Sequence, residues 1–400
     1  MAFVAVTTPI VLPWPLQSSL EAMARVLLEP GDRSHIDFSR PVGEAALLSP
    51  ESVSWRVFKN PLSLFIGGLT AVIMELAEPR VRTGVWEHTT FRLDPIRRLR
   101  RTGLAAMVTI YGARSTAEPM IARIRRMHEM VAGTTASGEA YRANDSELLN
   151  WVHGTAAYGF LQAYHMYVQP LSSSERDRYY AEGVPAASLY GASGAPTSEI
   201  ELEILLHAMA GRLERSDIVF EFLTIMRSAA ILPLLLRPAQ DLLVRAGVDL
   251  TPNWVRTILG LNGHGLHPWE AEVIRQAGAF ADRVVLASNP AVQACRLVQK
   301  PCALSLHVPA LLLPDSARGS RVIFPSGVKV ILNLTPLSVA AMKGWPLKNV
   351  AWMSLGAMGS AAKAVLAWKS IVATRNGSAR IEPRGDDGGT PGYSQMLERD

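Results

Sequence analysis

Four groups of residues have types and spacings that could do chemistry. His128 follows Ile121 and Ile124 and precedes Val131 at intervals of three and four, so a helix would put its imidazole on the apolar stripe, with Arg123, Arg125, Arg126 and Glu129 on other faces. An imidazole so placed is either a satisfied core side chain or a ligand for a metal or cofactor. His153 shares a helical face with Leu149, Ala156, Ala157 and Phe160, whose small members leave room for a planar partner. Glu87 precedes His88 in a stretch expected to be non-helical, where the acid could orient the ring or act as a base itself. Arg98, Arg101 and Thr102 fall on one side of a helix while Arg97 and Arg100 turn away; two guanidiniums and a hydroxyl bind carboxylates or phosphates, and a solvated basic face is the alternative. His35, His165, His207, His264, His267 and His307 have ordinary placements. The nucleophile elbow, the zinc-protease helix, the phosphate loop and the dinucleotide fingerprint are all missing from the sequence.

The elements that must position these groups are helical. Asn60-Pro61 reads as an N-cap with proline at the first helical position, opening a helix that Pro79 stops. Gly67-Gly68 inside it costs about 1 kcal/mol per glycine against alanine, which implies a close approach by another helix or by a flat ligand. Further helices are expected over 94–111, 117–132, 145–168, 173–182, 198–214, 216–230, 238–246, 252–259, 268–286 and 290–296, with no strand ladder before residue 300 and one hairpin over 321–334. The fold class is therefore mainly α. A Pro-rich irregular arm over 1–49 precedes a single large helical domain over 50–300, followed by a small C-terminal extension over 301–375 and a Gly-, Pro- and charge-rich tail over 376–400 expected to be disordered.

Composition narrows the function. The 400 residues are 48% hydrophobic and 19% charged, at the apolar end for a soluble chain. Net charge is +5, but with seven Lys and 33 Arg and only Lys59 before Lys300, the basic residues form no stripe with interleaved aromatics, which argues against nucleic acid as a partner. Arginine in this excess suits fixed forks for carboxylates. The two cysteines, Cys295 and Cys302, have neither a disulfide-framework nor a zinc pattern and read as reduced thiols. The N-terminus lacks a positive region before its apolar run and does not read as a signal peptide. The apolar stretches 63–77 and 350–368 read as buried or interfacial helices, so the expected location is cytoplasmic, with peripheral membrane contact left open.

An ordered series of short motifs resembles the family of rubber oxygenases and MpaB-type oxygenases. It comprises Asn60-Pro61, Leu64 to Gly68, Glu78-Pro79, Glu87-His88-Thr89, Asp94-Pro95, Arg98 to Thr102, Gly112, His128 with Val131 and Gly133, Tyr141 to Asp145, Trp151-Val152-His153 and Leu171 to Glu182. The resemblance implies an all-helical domain that holds haem b and uses O2 on a hydrophobic small molecule, with a helix histidine as the iron ligand. In that family one member cleaves an isoprenoid double bond to carbonyls and another shortens a prenyl chain. Carried over by position, His128 matches the iron ligand, and Arg98 and Thr102 match the Arg-x-x-Lys-Thr region beside the haem. Arg101 stands where that pattern has a lysine, and an arginine does not deprotonate to bind iron; the sixth position is then open, or filled by water or by His153. Arg98 and Arg101 would pair with propionates or polarise the oxygen ligand, and Glu87 is the expected acid-base residue. Peroxidase or hydroxylase chemistry, and a non-catalytic haem or lipid carrier, are the competing expectations.

Overall fold

The computed structural model describes residues 9–14, 17–18, 20–21, 36–89, 91–232 and 237–297. The chain divides into two compact units, Met1–Ser320 and Arg321–Asp400, and every described residue lies in the first. The hairpin expected over 321–334, the apolar stretch 350–368, the tail, Cys302 and His307 fall outside the described residues, as does His35.

The described fold is mainly helical. Its α-helices run α1 Val53–Val57, α2 Pro61–Glu75, α3 Pro79–His88, α4 Pro95–Tyr111, α5 Arg114–Glu129, α6 Ser146–Tyr167, α7 Ser173–Tyr190, α8 Glu199–Met209, α9 Asp217–Ser228, α10 Arg237–Leu250, α11 Asn253–Leu259, α12 Pro268–Arg283 and α13 Pro290–Leu297. Side-chain caps start many of them. The Asn60 carboxamide oxygen accepts from Leu62 and Ser63 N–H ahead of Pro61, Asp94 caps α4 through Arg97 N–H, and Ser172 with Glu175 forms a capping box on α7.

Two expectations need correction. Pro79 does not simply end the preceding helix: Glu78 accepts from Val81 N–H and Pro79 takes the first position of α3, so Glu87 and His88 are helical. The reason is that proline stops a helix from its N-terminal side yet is pre-organised to begin the next. A two-stranded antiparallel hairpin also exists before residue 300, β1 Ala132–Thr134 with β2 Ala140–Arg142, too short to show an alternating pattern. In addition, Cys295 is disulfide-bonded and not the reduced thiol expected.

The core is organised around α2 and α6, the most extensively contacting helix pair. A Cβ on Gly67 would lie 2.6 Å from the Gly159 carbonyl oxygen, and one on Gly159 would overlap the Gly67 carbonyl. The double glycine therefore serves a helix crossing, not a flat ligand. The two helices run antiparallel: Asn60, capping α2, donates to the Gly278 carbonyl, and Gly278 abuts the Tyr167 carbonyl at the far end of α6. Ile66, Ile73, Met74 and Leu76 are fully buried, each stabilising by roughly 1.5–3 kcal/mol. Thr70 Oγ1 bonds the Gly247 carbonyl at 3.0 Å, joining α10 to the same core.

The arginine excess is used as forks at several interfaces. Arg80, at the start of α3, reaches Glu78 at 2.6 Å, Glu147 on α6 at 2.8 Å and Glu139 in the hairpin loop at 3.6 Å; Arg212 also holds Glu139 and Glu147. Arg245 grips Glu270 through two 2.6 Å bonds, and Arg92 grips Glu221 likewise at 2.8 and 2.7 Å. This bidentate geometry is what lysine cannot supply. In the N-terminal arm, Glu21 accepts from Ala287 and Ser288 N–H and Gln17 donates to the Val285 carbonyl, tying its described pieces to the link between α12 and α13.

Candidate functional site

His128 sits in the last turn of α5, a helix whose buried residues, Ala117 and Ile121, prolong the apolar stripe read from the sequence. Its Nδ1 is buried without a hydrogen-bond partner, whereas Nε2 is not sealed. Desolvation and the nearby Arg98 guanidinium lower its pKa, so the imidazole is held neutral with a lone pair available. Neutral imidazole is the form that ligates metals.

Arg98, Arg101 and Thr102 lie on the first turns of α4, which faces α5. All three are exposed, yet protein surrounds Arg98 closely enough for desolvation to depress its pKa, against the Glu75 carboxylate and with Arg101 adding repulsion. Neither Arg98 nor Arg101 has an ion pair or hydrogen bond among the described residues, in contrast to Arg80, Arg92 and Arg245. The Arg98 guanidinium acts on His128 and Arg101 acts on Arg98, and two such uncommitted guanidiniums suit a dianionic ligand.

His153 is on α6 with its Cε1–Nε2 edge toward Gly183 of α7, where an added Cβ would stand at 3.8–3.9 Å, an ordinary packing distance. Desolvation lowers its pKa to about 4. Its folded pKa lies below the unfolded value, so stability is expected to fall as pH drops from about 6.5 toward 4, where the unfolded chain binds a proton that the folded one refuses. Denaturant titrations across that window check this: His153→Phe should lack that part of the acid loss.

Glu87 is exposed at the end of α3. Its charge acts on Tyr141, whose hydroxyl lies 3.2 Å from His88 Nε2. The acid that acts on Arg98 is instead Glu75, the last residue of α2, whose carboxyl is pushed up to about 7 by desolvation against the lowering effect of Arg98. The sequence reading missed Glu75 because a single acid at the end of an apolar helix resembles an ordinary solvated terminus; the signal present was its immediate environment, between buried Met74 and Leu76. The structure thus brings together His128, Arg98 and Glu75 electrostatically, with Arg101 and Thr102 on the same helix turn. It places Glu87 beside Tyr141.

The sequence model of a family described as ER-bound oxygenase mpaB/B'/Rubber oxygenase, catalytic domain, matches residues 55–285. The chain belongs to this family. No curated protein and no solved structure matches it. The matched span of the MpaB/rubber oxygenase domain runs from α1 to the end of α12 and contains His128, Arg98, Arg101, Thr102, His153, Glu75 and Glu87. Membership points to an oxygenase.

The residues present fit a haem. An iron porphyrin needs one protein ligand on its proximal side, and the neutral, unpartnered His128 supplies one; its two propionates need cations, and Arg98 and Arg101 are uncommitted. Among the described residues no group of three or more His, Cys, Asp or Glu is arranged to hold a metal ion. Among the same residues no single helix is long and apolar enough to cross a membrane; α2 with α3 passes only as a pair bent by 112°, and α2 is largely core.

Proposed function

We propose that this MpaB/rubber oxygenase-type domain is a haem b-dependent oxygenase that uses O2 on a hydrophobic unsaturated small molecule of isoprenoid, lipid or secondary-metabolite type, with oxidative C=C cleavage as its reaction. The observation that carries the reading is His128: a neutral imidazole with an unpartnered Nδ1, within reach of the Arg98 guanidinium and inside the family's catalytic domain.

In this reading His128 holds the iron and Arg98, Arg101 and Thr102 hold the propionate edge. When bound, the haem supplies the O2 chemistry. The chain contributes the rest. Apolar side chains partly exposed on the same helices, among them Leu99 and Leu104 of α4 and Val152 of α6, exclude water and accept a hydrocarbon substrate. His153, held neutral by desolvation and with its Nε2 edge toward Gly183 of α7, would serve as a hydrogen-bonding group or as a second ligand for the iron. Glu87 and Arg101 are the acid-base and polarising residues carried over from the family resemblance.

The test is an absorption spectrum of the protein as purified and after dithionite, followed by oxygen uptake with olefinic substrates and, separately, turnover with peroxide. A Soret band that shifts on reduction, with O2 consumed only when an olefin is present and carbonyl products formed, supports the oxygenase. Peroxide-only turnover gives the peroxidase reading its place, and a Soret band with neither activity gives that of a carrier. A colourless protein refutes the haem.

A further inference from the structure

Arginines in most of this fold are paired with carboxylates. Arg56, Arg80, Arg82, Arg92, Arg176 and Arg245 each hold one from another part of the chain. Over 93–142 the pattern changes. Among the described residues of that stretch only Arg114 is ion-paired, to Glu118 at 3.5 Å. Arg97, Arg100, Arg123, Arg125, Arg126 and Arg142 join Arg98 and Arg101 in having no side-chain ion pair or hydrogen bond there. Residues 97–130 hold eight arginines against Glu118 and Glu129, a surplus greater than the +5 of the whole chain. The net positive charge of the protein is therefore concentrated on α4 and α5.

The faces of α5 show how this charge is displayed. Ala117, Ile121, Ile124 and His128 form its inward stripe, with Ala117 and Ile121 fully enclosed. On the opposite face, at intervals of three and four, come Arg123, Arg126 and Met130, all exposed. Met130, the C-cap residue of α5, is 77% exposed, and Leu93, just before the Asp94 cap of α4, is 87% exposed. Arg97, in the first turn of α4, is exposed as well. The two helices are joined through Gly112 and Ala113 and pack against each other, and the Arg98 guanidinium near the start of α4 acts on His128 in the last turn of α5. The start of α4 and the end of α5 thus share one end of the pair, which carries Leu93, Arg97, Arg123, Arg126 and Met130.

Like charges three apart repel on a helix, so this face gains from an anion that the described chain does not supply. Guanidinium forks match phosphate and carboxylate oxygens, and aliphatic tips next to them fit a boundary where headgroups and acyl chains lie side by side. A nucleic acid strand would call for aromatic side chains to stack on its bases, and none of these five residues is aromatic. A protein partner would call for a packed apolar centre inside a polar rim, and two isolated aliphatic tips make no such centre. We propose that this end of the α4–α5 pair docks on an anionic lipid bilayer, with Arg97, Arg123 and Arg126 on the headgroups and Leu93 and Met130 in the acyl boundary. None of the five is assigned to the haem, so the proposal stands or falls separately from the oxygenase reading. In an oxygenase of a hydrophobic small molecule, it sets the domain on the phase that holds such a molecule.

The experiment is flotation of the full-length protein with vesicles of phosphatidylcholine containing phosphatidylserine and, separately, of phosphatidylcholine alone. Binding is expected to the first and not to the second, and should be lost toward ~1 M salt, where the Debye length falls to about 3 Å. Arg123→Gln with Arg126→Gln should weaken it by on the order of 30-fold, about fivefold per arginine near such a surface. Leu93→Ser or Met130→Ser should weaken it by on the order of 10-fold. Circular dichroism should be unchanged in these variants, because the positions are exposed and the two arginines have no partner among the described residues. Trp269 and Phe280, exposed on α12, give the control: Trp269→Ser with Phe280→Ser should bind as the parent protein does. No binding to the phosphatidylserine vesicles, equal binding to both kinds, or binding that survives ~1 M salt overturns the proposal. So does an unchanged affinity in the double arginine variant, or a loss of binding through the α12 variant. Retention on immobilised polyglutamate with vesicles ignored also overturns it, in favour of an acidic protein partner.

Discussion

Replacing His128 with alanine is expected to abolish the Soret band of the haem-loaded protein and, with it, oxygen uptake. The imidazole is held neutral by desolvation and the Arg98 guanidinium, the form that ligates iron. The variant should keep its helical circular dichroism, because His128 makes no side-chain hydrogen bond and stands in the last turn of α5. Added imidazole should restore part of the absorbance by occupying the vacated volume. His153→Ala provides the contrast: loss of the band there and its retention in His128→Ala would move the ligand to α6. Arginine at position 101 bears on the same spectrum. A lysine can lose its proton and approach iron, whereas a guanidinium stays charged, so the sixth coordination position should give a spectrum sensitive to added small ligands.

The second large effect is on stability. Arg80→Ala is expected to cost about 3–5 kcal/mol, the usual penalty for removing one partner of a buried ion pair. Glu78 is fully buried, and its carboxylate would be left near Glu139 and Glu147 without the guanidinium that bonds it, while Arg212 stays paired to those two acids. Three elements meet there, α3, α6 and the β1–β2 hairpin, so their junction loosens together. A melting temperature lower by on the order of 10 °C, read by circular dichroism, would agree with that cost. Arg212→Ala, at a half-exposed position, should cost less than about 1 kcal/mol. Equal losses in the two variants would show that burial does not set the strength of this cluster.

Much of the fold was legible because it rests on local rules. The cap and proline at Asn60-Pro61 marked a helix start that the structure reproduces, and the starts expected at 94, 173 and 268 fall within a residue of α4, α7 and α12, because signals at helix N-termini act within one turn. The apolar stripe through Ile121, Ile124 and His128 was legible for the same reason: period 3.6 is written in the sequence. What local rules hide is which partner an element meets. Gly67 signalled a close approach, but only the crossing with Gly159, 92 positions away, tells a helix from a ligand. Pro79 was read as a stop when it is also a start, because the cap that makes it one comes from Glu78, an acid equally at home in a loop.

The site divides along the same line. The sequence by itself determined that a histidine lies on an apolar helix face, that Arg98, Arg101 and Thr102 share a side, and, through an ordered set of motifs, which family the chain belongs to. Only the tertiary structure decided that Glu75 and not Glu87 acts on Arg98, that Arg98 and Arg101 form no ion pair among the described residues while other arginines are clamped, and that His128 is held neutral. The physical reason is that residue type and spacing fix what a side chain can do, whereas charge state and availability depend on desolvation and on which groups lie within a few ångströms, and those neighbours come from helices distant in the chain.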